Sequence, residues 1–341
     1  MRVLTGLVLV LALLWSGYWV VGRTGVVRGA EALQTEMAQE GVTVAWEELR
    51  VRGFPSRFDT ILDAPRFEDP EAGIAWGAPF LQVMALSYRP NEVIAAFAPE
   101  QRVETPAGEV LITSEGMRAS AGVRAALDVP LDHATLEAAW LELAAGPGLG
   151  GWQARAEDLL FAFREGAGAE ELPGAPPAAY DVYLRAAPVT LPAALSARVD
   201  PEGRLPDQIA SLTADLTLGL SGPIAARASA EPELEAVQIR AAEVVWGDMA
   251  LAADGAVTIR EDGRPEGRLE LTVSNWPLAL DLAADAGLVE ERLLSTWRAA
   301  ARALAQGDES ELTVPLVFTD GRMSIGPLPA FAPAPVLVRR D

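Results

Sequence analysis

The N-terminal segment from Val3 to Val21 constrains the fold of this chain most strongly, because its nineteen residues are almost entirely apolar. It reads VLTGLVLVLALLWSGYWVV, with Thr5 and Ser16 as mildly polar interruptions. An α-helix rises about 1.5 Å per residue, so this segment would extend about 28 Å, close to the hydrocarbon thickness of a bilayer. The segment therefore predicts a transmembrane helix.

Three aromatic residues gather at the C-terminal end of this segment: Trp15, Tyr18 and Trp19. Such side chains favour the membrane interface, where we expect these three to lie. A cleaved signal peptide is the main alternative, and a buried helix of a soluble protein is another. A signal peptide normally has an apolar core of about 7–15 residues and small residues at its cleavage site. We favour an uncleaved anchor, because bulky residues occupy the positions at which a cleavage site would need small ones.

The charges that flank the segment bear on its orientation. Arg2 precedes it, and Arg23 and Arg28 follow it, so the positive-inside rule gives nearly a tie. A short N-terminal tail that carries a base usually stays inside while a large acidic domain is exported. No second long apolar run follows in the sequence. We therefore predict a single-pass protein of a bacterial inner membrane, with the bulk of the chain in the periplasm.

The predicted domain organisation follows from this pattern. Residues 1–23 form a cytoplasmic tip and the transmembrane anchor, residues 24–41 a helical stem, and residues 42–341 a periplasmic β-rich domain. The stem carries apolar residues at helical spacing, and Gly41 is placed to end it.

Beyond Gly41 the apolar residues alternate with polar ones, which predicts β-strands. The clearest case is the segment 235–273, in which Gly247-Asp248 and Glu261–Gly263 separate alternating runs and predict hairpins. Further strands are predicted at 42–46, 80–87, 109–113, 180–184, 212–220, 312–318 and 322–325. We predict an α+β fold that is mainly β: an N-terminal transmembrane helix followed by a large curved antiparallel sheet with a few packed helices.

Three segments raise the question of helices within the β-rich part. Residues 277–306 have apolar residues at a period of 3.6, which predicts a helix ended by Gly307, and Asn91–Phe97 is a candidate for a short helix. Residues 134–145 fit a helix and a strand equally well. We favour a strand there because the neighbouring segments are predicted strands.

A short internal similarity indicates two related halves. Ile74–Gly77 (IAWG) and Val244–Gly247 (VVWG) lie 170 residues apart, and each precedes an apolar run and a proline-containing step. The candidate halves are 42–165 and 180–335. The stretch 166–179, rich in Pro, Gly and Ala, is either the boundary between them or an exposed loop.

Composition excludes several classes of function. With 48 acids against 27 bases, a net charge of −21 argues against a nucleic-acid binder. The chain has no Cys, which excludes disulfides and thiolate chemistry, and its single His excludes a His-rich metal site. All its bases are Arg, so a Schiff-base lysine and a P-loop lysine are also excluded. We expect no cofactor and no metal.

Three patterns that resemble catalytic or binding motifs have simpler explanations. Gly146–Gly151 matches G-x-G-x-x-G, but no strand–helix pattern surrounds it, so we predict a hairpin tip. His133 lies beside Asp132, without the serine elbow that a hydrolase triad would need. A pair of carboxylates could cleave a sugar bond, but pairs such as Glu47-Glu48 are typical of solvated faces. We predict no catalytic residue.

Six tryptophans lie in or beside predicted strands, and five of them are candidates for a ligand groove: Trp46, Trp76, Trp140, Trp246 and Trp276, with Trp152 as the sixth. A dense β-core would account for them. Alternatively, they line an apolar groove on the concave face of a curved sheet and bind a ligand there. An acidic exterior would be repelled by anionic headgroups, so such a groove would bind acyl chains or a protein partner.

Several of these segments together carry a family resemblance. The anchor is followed by Val44–Trp46 and Gly53–Pro55, and later by the turns Asp262–Gly267 and Asp320–Pro327. This combination resembles the alphaproteobacterial domain-of-unknown-function family 2125 over about residues 40–335. More loosely, an inner-membrane anchor followed by a long β-rich chain is similar to the AsmA-like envelope proteins, which are implicated in lipid traffic. Neither resemblance implies a catalytic residue.

Three functions remain open at this point. We favour a non-enzymatic, membrane-anchored periplasmic protein that binds lipid or another apolar ligand in maintenance of the cell envelope. A structural or assembly-partner role, with an envelope protein as partner and no ligand groove, is the alternative. A carboxylate hydrolase is the third, and two convergent buried acids in a polar cleft would favour it.

Overall fold

The structure, a computed structural model, describes residues 1–166, 168–225, 230–287, 289–305, 310–326 and 332–338. It begins with one uninterrupted helix, α1, Arg2–Gln39. The helix ends at Gly41, whose φ of +85° is a conformation that glycine adopts without strain. Anchor and stem are therefore continuous, without a linker between them. This helix is long and apolar enough to cross a membrane.

Only the C-terminal part of α1 packs against the rest of the protein. Every residue from Met1 to Trp15 is exposed. From Trp19 onward, half-buried residues recur every three or four positions along one face of the helix, as far as Met37. Near the C-terminal end of this contact, the side-chain amide of Gln34 donates a hydrogen bond to the carbonyl oxygen of Val44, at 2.9 Å.

The chain divides into two compact units by its contacts. The first comprises residues 1–123 and 136–152, and the second comprises residues 124–135 and 153–341. The strands of residues 1–152 are β1 Thr43–Ala45, β2 Glu48–Arg52, β3 Arg57–Asp63, β4 Arg66–Asp69, β5 Ile74–Gly77, β6 Phe80–Leu86, β7 Arg89–Phe97, β8 Glu100–Thr105, β9 Gly108–Glu115, β10 Arg118–Val123 and β11 Leu131–Ala145.

The strands of the first unit form an antiparallel meander. Each successive pass of the chain across the sheet is divided near its middle into two strands by a short interruption. One half of each pass pairs in the order β2–β3–β6–β7–β10, and the other half in the order β1–β4–β5–β8–β9–β11. Pro65, Pro79 and Pro99 lie at three of the interruptions, and Gly116, with φ +65°, lies at a fourth. Prolines lack the amide hydrogen that a continuous ladder needs, which explains why the strands break there.

Backbone hydrogen bonds nevertheless connect the interruptions of neighbouring passes. Ala64 N donates to Pro79 O at 2.9 Å, and Ala78 N donates to Pro65 O at 3.2 Å. The interruptions are therefore aligned across the sheet and form one crease. On one side of this crease lie the hairpin tips at 53–56 and 87–88, and on the other lie the tips at 70–73 and 105–108.

The second unit is a second antiparallel meander. Its strands are β12 Gln153–Glu165, β13 Ala178–Ala186, β14 Val189–Thr190, β15 Gln208–Ile209, β16 Ser211–Leu220, β17 Leu234–Trp246, β18 Met249–Ile259, β19 Pro265–Ser274, β20 Glu311–Thr319, β21 Arg322–Ile325 and β22 Ala332–Pro333. They pair in the order β12–β13–β16–β17–β18–β19–β20–β21–β22, and the short β14 and β15 pair beside β12.

Three helices accompany this meander: α2 Ala193–Val199, α3 Trp276–Asp285 and α4 Leu294–Leu304. Alternation places Leu271 and Val273 of β19 on the same face as Leu312 and Val314 of β20, and α3 and α4 pack there. Burial of these apolar side chains stabilises the unit by about 25 cal/mol per Å² removed from water. The mainly β, α+β fold with an N-terminal helix and a large antiparallel sheet is confirmed.

Two helix predictions are wrong. Asn91–Phe97 belongs to strand β7, because hydrogen bonding to β6 and β10 on both sides decides its conformation. Residues 277–306 contain two helices rather than one, since Gly287, at φ +74°, lies just beyond the end of α3. Gly307, the predicted stop, lies outside the described residues. The strand favoured for 134–145 is confirmed as part of β11.

Several predicted turns are confirmed. Gly247-Asp248 joins β17 to β18, and Glu261–Gly263 lies between β18 and β19. The described part of the stretch 166–179 lies within the second unit. The two similar segments, Ile74–Gly77 and Val244–Gly247, are not followed by the same kinds of element. Helix α3 follows the second segment, whereas strand β7 lies at the corresponding position after the first.

Candidate functional site

Three aromatic side chains of α1 donate hydrogen bonds to backbone carbonyl oxygens of two hairpin tips. Trp15 Nε1 donates to Pro55 O and Trp19 Nε1 to Arg57 O, each at 2.9 Å. The hydroxyl of Tyr18 donates to the carbonyl oxygen of Ser87. These are the residues that the sequence predicts at a membrane interface, and in the structure they attach the apolar helix to the tips at 53–56 and 87–88.

Ring packing completes this attachment. Trp19 meets Phe54 edge-on, with ring centroids 5.6 Å apart, and stacks on Phe58 at 6.1 Å. One turn further along the helix, Gly22 faces the Phe58 ring so closely that a Cβ atom would lie 2.4 Å from Phe58 Cζ. Aromatic pairs of this geometry contribute about 0.5–1.5 kcal/mol beyond burial of their area.

The sheet face beside α1 is set by strand register. Phe58 and Thr60 of β3 pair with Ala85 and Val83 of β6, and Ala85 pairs with Val93 of β7. Residues paired in this way lie on the same face of a sheet. The face is therefore apolar and contains several small residues.

A cavity of about 460 Å³ lies between this face and α1. It is lined by Tyr18, Gly22, Gly25 and Val26 of α1, by Phe58, Thr60, Val83 and Ala85 of β3 and β6, and by Pro90 and Val93 of β7. Its volume falls within the range of about 300–1,000 Å³ that is typical of ligand sites. The missing side chain of Gly25, where an added Cβ would meet no atom within 4 Å, leaves room on the helix side.

The lining chemistry favours an apolar occupant. Tyr18 and Thr60 contribute hydroxyl groups, and the other lining residues are hydrocarbon or glycine. The hydroxyl of Tyr18 is already bonded to Ser87 O. A carboxylate pair, a base or a set of metal ligands is not among the lining residues. The cavity therefore suits a hydrocarbon chain rather than a polar substrate.

The five tryptophans proposed as a groove are divided between the two units. Trp246 is buried with Leu205, Ile209 and Leu282, and its Nε1 donates to Pro206 O at 2.7 Å. Trp276 is buried in a different cluster, beneath α4. Burial in these packed clusters makes both of them core residues of the second unit.

The other three tryptophans belong to the first unit and are half-buried. Trp46 lies at the crease, between β1 and β2. Trp76 donates to Gln101 Oε1 at 3.1 Å, and Trp140 donates to Glu115 Oε2 at 2.8 Å. By alternation along the paired strands β5, β8, β9 and β11, Trp76 and Trp140 project from opposite faces of the sheet. They do not line one groove.

A cluster of hydrogen-bonded charged side chains surrounds Asp181 on the second unit. Asp181 Oδ1 accepts hydrogen bonds from Arg240 Nη1 at 2.7 Å and Thr217 Oγ1 at 3.1 Å, and Asp181 Oδ2 accepts two from Arg164 at 3.2 Å. Desolvation alone would raise the pKa of Asp181, but hydrogen bonds from Arg240 and Thr217 lower it. Arg240 also pairs with Asp215, which raises the pKa of its guanidinium. These mutual pairings give the cluster a structural role.

The remaining sequence motifs take ordinary positions. Gly146–Gly151 forms the connection from β11 to β12, with a short 3₁₀ helix at Pro147–Leu149, as the hairpin-tip prediction requires. His133 is partly exposed, and its Nδ1 lies 2.9 Å from Asp132 Oδ2. Within the described ranges, no group of three or more His, Asp or Glu residues is placed to hold a metal ion.

Sequence reasoning identified one side of this site and missed the other. It singled out Trp15, Tyr18 and Trp19, and it noted Gly53–Pro55 among the segments that carry the family resemblance. It did not find Phe58, Val83 or Val93, because only long-range strand pairing brings them opposite the helix. The sequence offered one indication that another element packs closely against the helix. Gly22 lies inside the predicted helix, where a glycine often has a packing reason.

The fold and the site together define a class: a mainly β protein on a long apolar N-terminal helix, with an apolar cavity where helix and sheet meet. The chain belongs to the family described as uncharacterized proteins conserved in bacteria, DUF2125, whose pattern matches residues 19–335. This confirms the family resemblance found in the sequence. No curated protein and no solved structure matches the chain.

Proposed function

We propose that this protein is anchored by α1 in a bacterial inner membrane and that it binds the acyl chain of a membrane lipid in the cavity beside that helix. The observation that carries the proposal is the apolar cavity of about 460 Å³, one wall of which is the helix that would span the bilayer. The protein contributes no chemistry to the lipid in this proposal; it holds the chain.

The position of the cavity along α1 supports entry from the bilayer. The cavity extends along the helix from Tyr18, inside the apolar segment, to Val26, beyond its end at Val21. At 1.5 Å per residue this is about 12 Å. One end of the cavity would therefore lie at the level of the outer leaflet, and an acyl chain could enter it without crossing water.

The short N-terminal tail supports the periplasmic side. A short tail that carries a base, here Arg2 with the amino terminus, usually stays inside while a large domain is exported, and Arg23 and Arg28 beyond the segment leave the positive-inside rule itself nearly tied. In this orientation the cavity faces the periplasmic leaflet. The role would be in maintenance of the envelope, by holding or presenting a lipid at the surface of the inner membrane.

Photo-crosslinking tests this function. Full-length protein is reconstituted in nanodiscs that contain a phospholipid with a diazirine near the end of one acyl chain, and crosslinked peptides are identified by mass spectrometry. We expect crosslinks on β3, β6 and β7, at or beside Phe58, Val83 and Val93. Crosslinks confined to residues 3–17, outside the cavity lining, would contradict acyl-chain binding in the cavity.

Two leucine variants on α1 make this test specific. An added Cβ at Gly25 or Gly29 meets no atom within 4 Å, but only Gly25 lines the cavity. Gly25→Leu would fill the cavity and abolish the sheet crosslinks, whereas Gly29→Leu, the matched control, would retain them. Equal crosslinking of both folded variants would overturn the proposal and favour the structural or assembly-partner role.

A further inference from the structure

The two hairpin tips that attach to α1 combine exposed aromatic side chains with hydrogen-bonded carbonyl oxygens. Phe54 is 56% exposed and Tyr88 is 60% exposed. The carbonyl oxygens of Pro55, Arg57 and Ser87 all accept hydrogen bonds from α1. Exposed rings favour a lipid environment, and these hydrogen bonds lower the cost of placing the tips there, since an unsatisfied polar group in hydrocarbon costs several kcal/mol.

Further backbone hydrogen bonds close the two tips on themselves and on each other. Arg57 N donates to Gly53 O at 2.9 Å, which closes the first tip. Ser87 N donates to Ser56 O at 2.9 Å, which joins the second tip to the first. Pro55 has no amide hydrogen to satisfy.

The hydrogen bonds from Trp15, Tyr18 and Trp19 fix the position of the two tips along α1, and hence their depth in a bilayer that α1 spans. The twelve residues from Val3 to Leu14 extend only about 18 Å, whereas the hydrocarbon core of a bilayer is about 30 Å thick. The apolar segment must therefore continue through Trp15 to Val21 to cross the core. Trp15 and Trp19 hold the first tip at that level, so a helix that spans the bilayer brings the tip into the outer leaflet.

From this geometry we infer that the tips 53–56 and 87–88 insert into the outer leaflet beside α1, with Phe54 and Tyr88 as the inserted side chains. The inference rests on the proposed anchoring by α1, but not on lipid binding in the cavity. The occupant of this exposed apolar patch is thus the bilayer that the helix crosses. The protein has a second, monotopic attachment to the membrane.

The charges at the tips agree with this placement. Arg52 and Arg57 flank the first tip, and Arg89 directly follows Tyr88. Three arginines therefore lie at two neighbouring tips, in a chain with a net charge of −21. Arg57 lies 3.0 Å from Asp59, and Arg89 lies 3.7 Å from Glu92, and both side chains are more than half exposed. Guanidinium groups at this height would contact lipid phosphates.

Depth-dependent quenching tests the inference, and the absence of native Cys makes the labelling specific. Single-cysteine variants Phe54→Cys and Tyr88→Cys are labelled with the fluorophore NBD in the full-length protein and reconstituted into vesicles of phosphatidylcholine and phosphatidylglycerol. Doxyl lipids carry the quencher either near the headgroup or near the end of the acyl chain. We expect both labels to lose fluorescence, more with the shallow quencher than with the deep one.

Two further positions separate failure of the inference from failure of the anchor. Leu11→Cys reports the middle of the apolar helix and should be quenched more by the deep quencher. Ala107→Cys, at the exposed tip between β8 and β9 across the crease, should not be quenched. If position 11 is quenched but positions 54 and 88 behave like position 107, tip insertion is overturned while anchoring stands. If position 11 is also unquenched, the anchor itself is overturned.

Discussion

Gly22 lies so close to the ring of Phe58 that no larger residue fits between α1 and β3: an ideal Cβ would approach Phe58 Cζ to 2.4 Å. The absence of a side chain at this one position lets the helix lie directly on the sheet. The contact holds α1 at the height where Trp19 reaches the first hairpin tip.

Replacement of this glycine should therefore loosen the attachment of α1. Gly22→Ala gains about 1 kcal/mol of helix propensity but overpacks the contact, which typically costs about 1–3 kcal/mol. Gly29→Ala, on the same helix with nothing within 4 Å of its Cβ, gains the propensity alone. We expect thermal unfolding in detergent to show a lower melting temperature for Gly22→Ala than for Gly29→Ala. Equal melting temperatures would show that the observed contact does not constrain the helix.

Removal of the hydrogen-bond donors on α1 should destabilise the attachment even when the rings remain. Tyr18→Phe and Trp19→Phe leave the carbonyl oxygens of Ser87 and Arg57 without these donors, and each change should cost about 1–3 kcal/mol. Limited proteolysis and denaturant unfolding measure the effect. Tyr183→Phe, an exposed position of the second unit, is the control and should change stability little. A cost at Tyr18 no larger than at Tyr183 would contradict the role of this hydrogen bond.

Trp246 should behave as a core residue. Its ring packs against Leu205, Ile209 and Leu282, so Trp246→Ala should cost about 3–5 kcal/mol of unfolding free energy. Trp140→Ala, at a half-buried position on β11, should cost clearly less. Chemical denaturation followed by far-ultraviolet circular dichroism measures both. A stable Trp246→Ala protein that had lost only lipid binding would restore the groove hypothesis for this residue.

The Asp181 cluster predicts a pH dependence of stability. Folding lowers the pKa of Asp181 below its ordinary value of 3.8, so its stabilising effect is fully present above that value and is lost as the pH falls through the lower folded pKa. Asp181→Asn should cost about 1.5–3 kcal/mol at pH 7, because charge-assisted hydrogen bonds are lost. The difference from the unaltered protein should shrink below about pH 3.8.

A matched carboxylate on the same sheet provides the control for this series. Asp254→Asn, at an exposed position of β18, should stay within about 0.5 kcal/mol of the unaltered protein at every pH. Denaturant titrations across the pH series measure both variants. A constant difference between Asp181→Asn and the unaltered protein down to the lowest pH would contradict the proposed ionisation.

Features decided by neighbouring residues were predictable from the sequence. Gly247-Asp248 and Glu261–Gly263 specify turns locally, so the hairpins of β17, β18 and β19 followed from alternation and turn chemistry. The apolar segment likewise predicted the first part of α1. In contrast, Ala95 and Ala96 favour a helix by propensity, and only pairing with β6 and β10 makes that segment a strand.

The site depends on contacts between residues distant in the sequence, which explains why only part of it was predictable. Composition and position indicated that Trp15, Tyr18 and Trp19 matter, but not that each donates to a hairpin carbonyl. That outcome requires the register of β3 against β6, which places Phe58 opposite Gly22. The tryptophans of the groove hypothesis shared a residue type and a strand setting, and neither property determines which face or which unit they occupy.

The unbroken course of α1 from Arg2 to Gln39 has a mechanical consequence. A domain on a flexible tether swivels, and each of its faces meets the membrane only for a fraction of the time. Here the helix reaches the sheet without a hinge, and three side chains within two turns, Trp15, Tyr18 and Trp19, fix its rotation about its own axis against the tips. The position of the hairpin tips along α1 and their rotation about the axis of α1 are therefore both fixed. If α1 anchors the protein in a membrane and a lipid occupies the cavity, as proposed, the lipid would arrive by lateral diffusion in two dimensions, from one fixed side, rather than by capture from solution.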